Sequence, residues 1–168
     1  MKLFRFFISI VSIALLPAAS YAIGAAGDTE WPEGATVEVQ LKLSAAIDDD
    51  GHPKITGDLT ITNPSGTALT IQEATNRQVL AFLIFDSLGN PVAPKLRVKS
   101  DPDFQILSLA SHASHTHQVK SLDFVTGSAW LSYDLLRGQP YRVIAVYRPA
   151  GPNGPGFTSQ EVRFQLPP

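Results

Sequence analysis

The chain has 168 residues, 13 Lys and Arg against 15 Asp and Glu, a formal charge of −2, and no cysteine. So small and mixed a balance argues against a nucleic-acid surface, which needs clustered Lys and Arg. Without cysteine there is no thiol nucleophile, no thiolate metal site and no disulfide, so the core must hold by packing alone.

Lys2 and Arg5 precede an apolar run, residues 6–16, that Pro17 breaks. Ser20 and Ala22 put small residues where a signal peptidase reads. The run falls short of the about 20 apolar residues of a membrane span. We therefore expect a cleaved secretory signal over residues 1–22, a periplasmic or secreted mature chain, and no stable membrane span after cleavage. Losing Lys2 and Arg5 leaves 11 basic residues against 15 acidic ones, a charge near −4. Residues 23–34 are small and polar and read as a flexible leader, with Trp31 able to dock on the core edge. Residues 35–168 read as one domain, long enough to fold without staples.

Alternation starts at Val37. Val37, Val39, Leu41 and Leu43 face one way, with Glu38, Gln40, Lys42 and Ser44 opposite, as in a strand with one wet face. A polar turn at residues 48–53 leads to a second strand, where Leu59 and Ile61 point inward. Asn63-Pro64-Ser65-Gly66 is a strong turn signal. A short strand over residues 68–71 and a polar stretch to Gln78 follow. Residues 79–86 are apolar on both faces, which suits a central strand of a packed sheet. Pro91-Val92-Ala93-Pro94 suits an edge piece at most.

Residues 95–99 and 104–109 are weakly patterned. Residues 111–118 read as an exposed polar connection between strands. Residues 119–125 are strand-like, with Leu122 and Phe124 inward, and residues 130–134 alternate aromatic and polar. The sharpest pattern is residues 135–147. A turn at Gly138 opens onto a strand with Tyr141, Val143, Ala145 and Tyr147 on one face. A Gly- and Pro-rich loop over residues 150–156 precedes a last strand with Val162, Phe164 and Leu166 inward. No apolar period of 3.6 appears after the export segment. Seven to eight short antiparallel strands with turns between them predict an all-β sandwich.

Leu136-x-Gly138-x-x-Tyr141-x-Val143-x-Ala145 is similar to the turn and late strand of fibronectin type III and immunoglobulin-like modules. That resemblance implies an immunoglobulin-like antiparallel β-sandwich in which Tyr141 closes a tyrosine corner, with Leu136 as packing partner and Gly138 as turn residue. Asn63-x-Ser65-Gly66 and Phe82-x-Ile84-Phe85-Asp86-x-x-Gly89 resemble, distantly, the bacillar intracellular proteinase inhibitor family, also a β-sandwich. Ala81-Phe82 stands where that family has Tyr-Asp, and its inhibitory loop has no counterpart here.

Candidate sites are few. His112, His115 and His117 crowd into six positions. In an extended segment His115 and His117 share a face, a spacing that suits two imidazoles on copper or zinc, with His112 closing the site from a loop. Asp48-Asp49-Asp50-Gly51 lacks the ligand spacing of a calcium loop. There is no Gly-x-Ser-x-Gly elbow and no phosphate-binding loop ahead of a helix. Asn153 and Phe157, in and beside the Pro-rich loop, and Trp130 are candidates for contact with a partner. Together these features predict an exported, non-catalytic protein-binding or structural module with no obligatory cofactor. Its expected partner is another extracytoplasmic protein. The alternatives are an extracytoplasmic protease inhibitor and a weak copper or zinc binder.

Overall fold

The computed structural model describes residues 30–49, 53–75, 77–97, 104–126 and 129–168. The export segment, most of the leader, His52 and the turn at Gly127-Ser128 lie outside the described residues. Among the described residues there are twelve strands and no helix. All the pairings are antiparallel.

The first alternating segment forms β1 (Glu38–Ile47), which folds back on β2 (Pro53–Thr62) with Val39 opposite Ile61 and Leu41 opposite Leu59. Those four side chains are buried, Leu59 and Ile61 completely. Gly57 is required in the middle of β2, opposite Leu43, because a Cβ there would stand 1.9 Å from the Lys42 carbonyl oxygen. On its other side β2 pairs with β7 (Ser114–Val119), which puts His117 opposite Leu59 and His115 opposite Ile61. This corrects the reading of residues 111–118 as an exposed connection. Thr60–Thr116 and Thr62–Ser114 hydroxyl pairs line the wet face of the same two strands at 3.2 and 2.8 Å. Polar residues at alternate positions therefore support a ladder whose inward positions are not apolar.

The second sheet is built on β10 (Pro140–Tyr147). It pairs on one side with β4 (Leu80–Phe85), and on the other with β11 (Phe157–Thr158) and β12 (Val162–Gln165). Tyr141, Val143, Ala145 and Tyr147 are all buried, as the alternation predicts. A side chain the size of Val143 so withdrawn from water contributes roughly 1.5–3 kcal/mol. Between β11 and β12 the ladder is interrupted, and Ser159 repairs it. Its hydroxyl accepts the Ala145 N–H at 3.0 Å and donates to the Gln160 carbonyl at 2.8 Å. Such interruptions explain why the strands are more numerous and shorter than seven or eight.

Two small sheets complete the fold. One joins β3 (Leu69–Gln72) to β6 (Ile106–Leu109); the other runs β5 (Lys95–Arg97), β9 (Ala129–Ser132), β8 (Phe124–Thr126). The inner faces of the sheets contribute to one cluster that includes Leu41, Ile61, Ile71, Val79, Ile84, Leu122, Val143 and Tyr147. Trp31 packs against this cluster. Its indole N–H donates to the Ala35 carbonyl at 3.0 Å, and its ring lies 5.8 Å from that of Phe157. The plain architecture is thus all-β, in several antiparallel sheets consistent with a β-sandwich.

Two expectations need correction here. β4 is not a central strand: its free side carries a bridge from Phe85 to Pro91, the Val92 N–H on the Ile84 carbonyl at 2.8 Å, and the Tyr133 hydroxyl on the Phe82 carbonyl at 2.8 Å. A proline-containing loop and a phenol cover this edge in place of a strand. The Tyr141 corner forms through backbone as expected, but Leu136 is not its packing partner. The Leu136 N–H donates to the Tyr141 hydroxyl oxygen at 2.7 Å, while the Leu136 side chain is 67% exposed. Phe164, stacked at 5.6 Å, is the ring partner of Tyr141.

Candidate functional site

Among the described residues, two strand faces that bear on function depart from the rule that apolar side chains go in and polar ones out. The first is the inward face of β7. Because Leu59 and Ile61 point into the core, their cross-strand partners His117 and His115 point the same way. They are half-buried rather than buried, since β7 lies at the rim of its sheet.

Glu73 meets both rings. One carboxylate oxygen lies 3.0 Å from Nε2 of His115 and 3.1 Å from Nδ1 of His117, and the other lies 2.9 Å from Nε2 of His115. A carboxylate only accepts, so each of these ring nitrogens carries the proton it donates. Glu73 follows directly on β3 and is held on both sides. Its own N–H donates to the Gln105 carbonyl at 2.7 Å, and the Gln72 N–H donates to the Pro149 carbonyl at 2.8 Å. The Tyr147 hydroxyl, deep in the core, donates to the Gln72 carbonyl. Burial, and then the Glu73 charge, push the Tyr147 phenol far above its ordinary value.

β7 is held in place from its start. The Asn63 N–H donates to the Ala113 carbonyl at 3.0 Å, and the Asn63 side chain ties the 63–67 turn to Leu109 and Ala110. The Asn-x-Ser-Gly signal thus fixes where the histidine strand begins. His112 stays apart. It is exposed on the turn before β7, in the left-handed region with φ 58°. Glu73, 42 and 44 residues from the histidines it meets, was not legible as their partner. As the side chains stand, no three His, Asp or Glu among the described residues frame an ion.

The second place is the outer face of the β4–β10 pair. Ala81 stands opposite Val146, Leu83 opposite Ile144 and Phe85 opposite Arg142. Leu83 is 47% exposed, and Ala81, Phe85, Ile144 and Val146 are half-buried. The Arg142 guanidinium lies 5.6 Å from the centre of the Phe85 ring and pairs with Glu161 at 3.2 Å, and Arg163 shares that carboxylate. Beside this face lies a shallow, open concavity of 430 Å³, lined by Leu88, Gly89, Pro140, Arg142 and Arg163 among others.

No family model matches the chain, and no curated protein matches it in sequence. Its likeness to immunoglobulin-like modules thus rests on the tyrosine corner and the turn residues alone.

The remaining sequence candidates lie on separate elements. Trp130 is 36% exposed on β9. Asn153 is exposed in the 150–156 loop, whereas Phe157 folds back onto Trp31 and the core. That loop is closed on itself by the Gly151 N–H on the Arg148 carbonyl and the Gly154 N–H on the Gly151 carbonyl, both at 3.1 Å. Among the described residues no helix is long and apolar enough to cross a membrane.

Proposed function

We propose that this chain is an exported, non-catalytic module of the immunoglobulin-like β-sandwich type that binds another extracytoplasmic protein. The exposure of Leu83 carries the proposal. A strand that is apolar on both faces belongs between two layers, and β4 has a layer on one side only. The surrounding groups support a partner of defined chemistry. Arg142, Arg148 and Arg163 stand on this face with Glu161 as counter-charge, an excess of positive charge on a chain whose formal charge is −2. An apolar centre with arginines at its rim is the composition of an interaction surface. The fitting partner is a protein presenting apolar side chains beside carboxylates.

A photo-crosslinking residue placed at Leu83 tests this in the native compartment. The expected result is an adduct with one other protein, mapped to a segment with apolar and acidic residues. Leu83→Glu and Ile144→Glu should abolish that complex, and a cross-linker at Thr60, on the opposite wet face, should not form the adduct. Adducts only between copies of this chain, or none at Leu83 beyond those at Thr60, would overturn it.

A further inference from the structure

We infer that Glu73, His115 and His117 form a binding site for one divalent transition-metal ion of the zinc or copper kind, independent of the docking face. Three observations converge on it. Two imidazoles occupy inward positions of a strand whose cross-strand neighbours, Leu59 and Ile61, are fully buried aliphatics. One carboxylate reaches both rings, with all its contacts between 2.9 and 3.1 Å. The side chains of His115, His117 and Glu73 are 33%, 22% and 15% exposed, so the cluster is sheltered yet reachable from solvent.

Two nitrogens and a carboxylate oxygen are a common ligand set for such ions. At bond lengths of about 2.0–2.1 Å, tetrahedral ligand atoms stand about 3.3 Å apart. The nitrogen-to-oxygen spacings of 2.9 to 3.1 Å fall short of that by a few tenths of an ångström, as hydrogen bonds require, and the side chains as they stand do not frame an ion. Binding on this reading requires the Glu73 carboxylate to turn about its side-chain bonds, while the backbone stays anchored through the Glu73 and Gln72 N–H groups. On binding, each ring shifts its proton to the other ring nitrogen, so the lone pairs of His115 Nε2 and His117 Nδ1 become ligands. No net proton leaves if both rings are neutral beforehand. The fourth position faces solvent and takes water or a small anion. His112, exposed on the preceding turn, is not a ligand.

The test titrates the full chain, free of any affinity tag, with zinc or copper(II) alone. The expected result is one ion per chain, with zinc moving the imidazole nitrogen resonances of His115 and His117 but not those of His112. His112→Ala should leave the affinity unchanged. Glu73→Gln should weaken it at least as much as loss of an outer partner does, about 10–100-fold. His115→Gln with His117→Gln should abolish it. Absence of a stoichiometric ion, resonance shifts led by His112, or an affinity that survives the histidine pair of changes would each overturn the site. The wild-type resonances decide the matter even where a variant fails to fold.

Discussion

The side-chain amide of Asn63 donates to the carbonyl of Leu109 at 3.1 Å, joining residues 46 apart in the chain. The same nitrogen donates to the carbonyls of Thr67 at 2.8 Å and Ala110 at 3.0 Å, and the amide oxygen accepts from the Ser65 N–H and hydroxyl at 3.0 and 2.7 Å. Asn63 is fully buried, and its bond to the Leu109 carbonyl is out of reach of water. Asn63→Ala should cost about 1–3 kcal/mol, because it leaves the buried Leu109 carbonyl without this donor and unties the 63–67 turn. Asn63→Asp should cost at least as much, since it turns a carboxylate toward three carbonyl oxygens. Denaturant midpoints of the two variants check this, and a loss below about 1 kcal/mol would remove Asn63 as the lock of the β6–β7 connection.

Gln72 carries the opposite sign. It is fully exposed to the core and not to water, and neither polar atom of its side-chain amide has a hydrogen-bond partner. Its backbone is well used, but its side chain retains the desolvation penalty of a buried amide. Gln72→Met keeps the length and removes both polar atoms. The expected outcome is a gain of about 1–2 kcal/mol, read as a higher denaturant midpoint with an unchanged slope. Destabilisation by Met would mean that the amide is satisfied in solution.

Two buried phenols weaken the fold in alkali. Burial, and then the Asp123 charge, raise the Tyr133 phenol to about 12. Burial, and then the Glu73 charge, raise that of Tyr147 still further. A raised folded-state value means that the folded chain holds a proton the unfolded chain gives up. The stabilisation is therefore whole below pH 10, the ordinary phenol value, and fades as pH climbs through 10 to 12 and beyond. Tyrosinate absorbance and circular dichroism should change together in that range. Tyr147→Phe should lose about 1 kcal/mol at neutral pH, for the bond to the Gln72 carbonyl, and should flatten the alkaline decline. An alkaline curve identical to that of the wild type would rule out Tyr147 as a contributor.

Much of the fold was legible because burial in a sheet has a period of two. Val39, Leu41, Leu59, Ile61, Tyr141, Val143, Ala145, Tyr147 and Phe164 all point inward where alternation placed them. What alternation cannot supply is which strands are neighbours. His115 and His117 looked like loop residues because hydrophobicity was the only signal for the inward face, and their true face is set by the register against Leu59 and Ile61. Glu73 carried no signal of its own, since a single acidic residue after a short strand resembles any solvated turn. The doubly apolar β4 was misread in the other direction. Apolar faces say nothing about lateral neighbours, and β4 lies at a sheet edge covered by Pro91, Val92 and Tyr133.

The pairing of β4 with β10 also orders events in time. As the chain emerges N-terminus first, from a ribosome or a translocation channel, the β1–β2 hairpin can close at once on its neighbour in sequence. β4 emerges well before the strand it needs, since Ala81 and Leu83 wait for Val146 and Ile144. Throughout that interval an apolar strand lacks its partner, and Leu80–Phe85 offers a handle to any factor that binds the unfolded chain.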